Sequence, residues 1–351
     1  MKKAHIAFLS ATVLALLQAP VASAADVWPF NVVDAAKGGK VVPYTGLEKA
    51  AKKWKICVLF PHMKDSYWVG VDYGIVDQAR KLGVSATIFE AGGYTEAAKQ
   101  VSQYNDCVAL GVDAIIIGAI SEAGLTKSME EGKTKGIVQV GVINPLQNKV
   151  ADAKIYANYD DAAEAGAKFL AEKFKGHNGK VNLLHFPGPQ GSGWAESSTE
   201  GVKRAIKDTN INLLDAKYGD TGKNVQLQLV EDALQAYSNI DIIYGTAVTA
   251  EVAPQAVQEA GLDHPVAVAA YYSNEGIVNL VKSGQVAATV TESPVMEARI
   301  AVDLAVRILE KKEHYTFLNP GMSVVTKDNI GAMDLTRTFA PEGWKPVYKV
   351  D

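Results

Sequence analysis

The chain has 351 residues, with 35 Lys and Arg against 39 Asp and Glu, a formal net charge of −4 and 48% hydrophobic residues. That mildly acidic balance gives no electrostatic footing for nucleic acid, and the apolar content is that of a folded globular chain rather than a disordered one. Two cysteines are too few for a disulfide scaffold, and six histidines are scattered without metal-ligand spacing.

The first 24 residues read as an export leader. Lys2-Lys3 form a positive start, Ile6 to Leu17 an apolar stretch too short to span a bilayer as a helix, and Ala22-Ser23-Ala24 a small-residue cleavage site. Removing them takes two positive charges and no acid, moving the formal charge from −4 to −6 and leaving 327 residues. No later segment is as apolar without charges, so the expectation is an exported, periplasmic chain with no membrane insertion.

Residues 25–53 have little periodicity and read as an extended N-terminal arm lying on the body, with Trp28-Pro29-Phe30, Gly38-Gly39 and Pro43-Tyr44 as punctuation. A first strand follows at Trp54 to Phe60, then a turn through Pro61 to Lys64, then a helical stretch from about Trp68. Short β-branched runs recur at 84–89, 113–118, 137–140, 180–186, 211–217, 241–244, 266–269 and 286–291, with amphipathic stretches of helical period between them. Strand–helix–strand alternation implies parallel sheets with right-handed crossovers. The expected fold is α/β: two doubly wound parallel-sheet lobes joined by a multi-strand hinge. One lobe spans 54–156 plus 292–319, the other 157–291 plus 320–340, and 341–351 is a tail. Cys57 on the first strand and Cys107 near the end of the helix before the third strand are within geometric reach of each other. They are either a disulfide or two buried thiols that pack as small hydrophobes.

The loops carry little that suggests catalysis. No strand–turn–helix carries G-x-G-x-x-G with a ribose-binding acid, a Walker A lysine or a G-x-S-x-G elbow. No cofactor and no enzymatic activity are expected. The stretch Gly188 to Gly193 is glycine-rich but lacks a lysine. His62 reads as a solvated loop residue or as one near the cleft, the first being favoured.

A binding site fits better. Asp65-Ser66-Tyr67-Trp68 stands where the first strand hands over to the first helix, the edge at which open α/β sheets bind ligands. Asp65 or Ser66 is also a plausible helix N-cap, with the aromatics packing on the domain. Tyr94, Tyr159, Trp194, Tyr271 and Tyr272 recur at other strand-to-helix turns, accompanied by Asn158, Asp160 and Glu292. Aromatic faces beside carboxylates hold methylated ammonium groups, although sugar receptors also stack rings. The five arginines, Arg80, Arg204, Arg299, Arg307 and Arg337, fall away from these turns, which weighs against an anionic or ribose-like ligand.

Several stretches resemble the TorT family of periplasmic binding proteins. They are Trp54-Lys55-Ile56-Cys57, Pro61-x-x-Lys64-Asp65-Ser66-Tyr67-Trp68, Glu90-Ala91-Gly92-Gly93-Tyr94, Pro187-Gly188-Pro189, Gly245-Thr246-Ala247 and Gly343-Trp344-Lys345-Pro346-Val347-Tyr348. The resemblance covers nearly the whole mature chain. It implies a class I periplasmic binding protein that detects a small ligand and signals to the periplasmic domain of a TorS-like sensor histidine kinase, without catalysis. It implies trimethylamine N-oxide or a related methylated amine as ligand, held by Tyr67, Trp68, Tyr94 and Tyr271 beside Asp65. In the family a tryptophan stands at the first crossover, where this chain reads Tyr156-Ala157-Asn158-Tyr159-Asp160. Trp194 is the candidate replacement ring. The alternative function is a sugar- or amine-binding receptor of an ABC importer, which the same lobes would serve.

Overall fold

The computed structural model describes residues 27–351; the leader read from the sequence lies outside them. In chain order, the strands β1 (Phe30–Asp34), β2 (Lys40–Tyr44) and β3 (Lys55–Phe60) precede α1 (Ser66–Leu82). Then come β4 (Ser85–Glu90), α2 (Ala97–Ala109), β5 (Ala114–Ile117), α3 (Glu122–Thr134), β6 (Val138–Val142) and β7 (Ala153–Ile155). The second half opens with α4 (Tyr159–Lys173), β8 (Val181–Gly188), α5 (Trp194–Ile206), β9 (Ile211–Tyr218) and α6 (Lys223–Ala236). It continues with β10 (Ile242–Gly245), α7 (Ala247–Ala260), β11 (Ala267–Ala270), α8 (Val278–Ser283), β12 (Thr289–Thr291) and α9 (Pro294–Leu309). β13 (Phe317–Asn319), β14 (Ser323–Val325) and β15 (Lys349–Val350) close the chain.

Two sheets anchor the two lobes. The first has nine strands in the order β15-β4-β3-β5-β6-β7-β13-β1-β2, and the second has four in the order β11-β10-β8-β9. In the first sheet β4, β3, β5, β6, β7 and β13 run parallel, and all pairs of the second sheet are parallel. Central strands of such sheets are covered on both faces and read as unbroken apolar runs. β3 is buried from Ile56 to Phe60 and β5 throughout. β12 and β14 form a separate antiparallel pair. The first passage between the lobes is the short link from β7 to α4.

Two terminal segments differ from the sequence reading. Residues 27–53, the described part of the expected arm, are not simply extended. β1 and β2 form an antiparallel hairpin, and β1 pairs with β13, so the hairpin extends the first sheet at its edge. The alternating burial of β1, with Phe30, Val32 and Asp34 inward, is the period-2 signal of a half-covered strand. The C-terminal tail pairs through β15 with β4 at the opposite edge. The Trp344 indole N–H and the Val347 amide both donate to Asp72 Oδ2, at 3.0 and 3.1 Å, fixing the tail on α1. Cys57 and Cys107 are joined by a disulfide with 5.8 Å between Cα atoms, tying β3 to α2.

Candidate functional site

α1 starts where the chain leaves β3. Asp65 is its N-cap: Oδ1 accepts from the Trp68 amide at 3.2 Å. The same carboxyl also lines a cavity between the two sheets, so capping and facing the cavity are both properties of Asp65. The cavity is tight, and its empty space of about 280 Å³ includes solvent at its mouth. From the first lobe it is lined by Asp65, Tyr67, Trp68, Tyr94, Ile143 and Asn144, and from the second by Tyr159, Trp194, Thr221 and Tyr272.

Each ring is seated by its neighbours. Trp68 packs on Phe60 with centroids 5.2 Å apart, and a Cβ at Gly118 would lie 2.6 Å from its ring. The indole of Trp194 fits over Gly188, at φ 105°, where a Cβ would come within 2.5 Å of the ring. The glycine-rich loop before α5 does not cradle a phosphate. Its Gly191 and Gly193 amides donate to the two oxygens of Glu196, at 2.6 and 2.9 Å, so an internal carboxylate holds the loop that presents Trp194. Asn144 donates from Nδ2 to Tyr94 Oη at 3.1 Å and to the Ala119 carbonyl at 2.7 Å, which fixes the Tyr94 ring. Ile143 holds φ at 65°, a left-handed conformation unfavourable for a β-branched residue, at the cavity wall.

The rings meet across the lobes. Tyr67 and Tyr272 are 5.3 Å apart, and Tyr94 and Trp194 5.4 Å, both edge-on, the preferred geometry for aromatic pairs. Polar contacts also cross. Lys64 pairs with Asp220 at 3.1 Å. His62 Nδ1 accepts from the Lys64 amide, so Nε2 carries the hydrogen and donates to Thr221 Oγ1 at 3.0 Å. Burial brings the His62 pKa down to about 4 and keeps the ring neutral.

Carboxyl groups set the electrostatics. Burial pushes Asp65 up to about 7, against the Trp68 amide bond that favours its charge. Burial likewise raises Glu292 and Glu297. Tyr67 Oη donates to Glu292 Oε1 at 2.6 Å, and Tyr159 Oη lies 3.2 Å from Tyr67 Oη. No lysine or arginine lines the cavity. The Trp194 indole N–H is buried and has no hydrogen-bond partner among the described residues.

Of the residues read from the sequence, Asp65, Tyr67, Trp68, Tyr94, Tyr159 and Trp194 stand together on the cavity wall. Three do not. Asn158 is exposed, and its amide donates to Asp161 because the α4 helix turns it outward. Tyr271 lies fully buried behind the wall with its hydroxyl on the Pro187 carbonyl, and its neighbour Tyr272 faces the cavity instead. Glu292 sits one layer back, reaching the cavity only through Tyr67. His62 is not a solvated loop residue; it is fully buried under Trp68 and Tyr94. Ile143, Asn144 and Thr221 escaped sequence reasoning, although they follow β6 and β9 at the strand ends where ligands gather, a positional signal that was available. Among the described residues no cluster of three His, Cys, Asp or Glu side chains could hold a metal ion, and no helix is long and apolar enough to cross a membrane.

Residues 56–313 match the family model described as a periplasmic binding protein domain. The chain belongs to the periplasmic binding protein family. Among relatives of this periplasmic binding protein, Periplasmic protein TorT of Escherichia coli (strain K12) is 27% identical over 300 residues, 86% of each chain. A solved complex of the TorS sensor domain with TorT in the presence of TMAO aligns with a TM-score of 0.75 at 26% identity, covering 84% of this chain and all of that one. A solved ABC transporter solute binding protein from Bradyrhizobium sp. BTAi1, with bound bis-Tris, is 43% identical. It has a TM-score of 0.79 and covers 93% of this chain and all of that one.

Proposed function

We propose that this chain is an exported periplasmic receptor, not an enzyme, that encloses a small methylated amine of the trimethylamine N-oxide type between its lobes. The observation that carries the reading is the wall itself. Six rings (Tyr67, Trp68, Tyr94, Tyr159, Trp194 and Tyr272) surround one small cavity with the Asp65 carboxyl among them and no basic side chain. Ring faces attract a positive nitrogen and pack its methyl groups, and a buried acid complements the charge. A sugar site would call for many donors and acceptors aimed inward. Here the Tyr67 hydroxyl is already engaged with Glu292, and the Tyr159 hydroxyl with that of Tyr67. An oxygen on the ligand would find its donor in the unpartnered Trp194 N–H.

The similarity to TorT over most of both chains supports a signalling role, in which ligand closure changes the surface offered to the periplasmic domain of a TorS-like sensor histidine kinase. The test is the affinity for the periplasmic domain of a TorS-like sensor kinase, with and without amine. A ligand-dependent affinity is expected, and an affinity untouched by ligand overturns the coupling. The second reading, an importer's receptor for an amine, is favoured by the Bradyrhizobium solute binding protein, whose bound bis-Tris is itself a tertiary amine. A permease and ATPase encoded beside the chain, in place of a kinase and its regulator, would favour it further.

A further inference from the structure

Three carboxyl groups in and behind the cavity have no basic partner. Asp65 is on the wall, with Oδ1 bound to the Trp68 amide. Glu292 is buried behind Tyr67 and accepts its hydroxyl. Glu297 on α9 is fully buried, and neither of its oxygens has a hydrogen-bond partner in the protein. The lysines at the rim are taken, Lys64 by Asp220 and Lys223 by Glu251. The other charges that act on Asp65 are Glu251 and Asp220, both acids. Those acting on Tyr67 and Tyr159 are Glu292 and Glu297. A buried carboxyl without a partner either holds a proton or calls for a positive group, and a cation in the cavity would favour the ionised form.

The hydroxyl hydrogens point the same way. An ionised Glu292 only accepts, so Tyr67 donates to it, and Tyr159 donates in turn to Tyr67. Neither hydrogen is left for an anionic oxygen on a ligand. The negative charge of Glu292 is relayed to the wall through two phenol groups. The Trp194 N–H, a single neutral donor, suits a hydroxyl as well as an oxide.

We infer that Glu292 is a specificity-determining residue that makes the cavity select small alkylammonium cations over a net-neutral N-oxide of the same shape. This rests on the reading of the cavity as a methylated-amine site and narrows it to net cations. Tetramethylammonium and trimethylamine N-oxide have nearly the same shape and differ in a methyl group against an oxide, so the pair isolates charge. Choline adds a hydroxyl.

The experiment is calorimetric titration of the full mature chain and of Glu292→Gln with these three compounds. The wild-type protein is expected to bind both cations at least about tenfold more tightly than the N-oxide. Glu292→Gln is expected to lose about tenfold for the cations and less than about threefold for the N-oxide. A purely structural role for Glu292 would weaken all three alike, and that result overturns the inference. So does a wild-type protein that binds the N-oxide as tightly as the cations, an outcome that leaves the amine reading standing. Failure of all three to bind defeats the inference together with that reading. If Glu292→Gln does not fold, Tyr67→Phe, which removes the phenol joining Glu292 to the wall, takes its place: a loss for the cations larger than for the N-oxide is expected, and an equal loss for all three overturns the inference.

Discussion

Trp68 forms one wall of the cavity because Gly118 leaves its ring room and Phe60 backs it. Removing a ring from a desolvated positive nitrogen costs about 1–2 kcal/mol, so Trp68→Ala should weaken amine binding by roughly tenfold or more in a calorimetric titration. Asn158→Ala, at an exposed residue turned toward Asp161, should leave the affinity unchanged. The Asp65 carboxyl gives a pH signature. Its pKa stands near 7 because burial disfavours its charge, and a positive ligand favours the ionised form and lowers that pKa. Affinity should therefore be highest above about pH 7 and fall as the pH drops through that value. Asp65→Asn should make this fall shallower and leave the share due to Glu292, whose pKa burial also raises to about 7, measured by titration between about pH 5.5 and 8. At this scale much of the site was legible in the sequence. Asp65, Tyr67, Trp68, Tyr94, Tyr159 and Trp194 all stand where strands hand over to helices, and the cavity gathers them there. The choice between Tyr271 and Tyr272 was not legible. A one-residue step in the turn after β11 reverses which side chain faces the cavity, and no periodicity reaches into such a turn. The second layer, where Glu292 meets Tyr67, joins residues 225 positions apart, a pairing that spacing does not reveal.

Among elements, the long β3, β4, β8 and β9 and the amphipathic helices between them follow from period alone. Of the three-residue strands, β12 falls within the run 286–291, whereas β7 and β13 are too short to show alternation, and their pairing is set by the sheet they join. The β1–β2 hairpin was hidden for a related reason: Gly38-Gly39 and Pro43 read as loop signals, but Gly38 and Gly39 form the positive-φ turn between the strands and Pro43 lies on the edge strand, where a missing N–H is tolerated. The disulfide between β3 and α2 closes a loop of 50 residues. Such a loop contributes about 4 kcal/mol by restricting the unfolded chain. Replacing both Cys57 and Cys107 by alanine should lower unfolding stability by up to about that amount in denaturant titration, with the amine affinity kept, since neither sulfur reaches the cavity.

At the scale of the molecule, two lobes that share few covalent links meet through side chains around the cavity. Tyr67 touches Tyr272, Tyr94 touches Trp194, His62 bonds to Thr221 and Lys64 pairs with Asp220. A ligand between these surfaces adds contacts to both lobes at once, so its binding energy favours the closed arrangement, and any partner that reads closure is linked to ligand. The alternation of strands and helices made two lobes legible, and the aromatics at the turns an aromatic surface between them; which rings touch across it follows only from their packing. The measurement that tests this account most directly is calorimetric titration of the purified chain against trimethylamine N-oxide, choline, tetramethylammonium and ribose. The account predicts sub-millimolar binding of at least one methylated amine, on the order of −4 kcal/mol or stronger, and none of ribose. Binding of ribose with no response to any of the amines would contradict it.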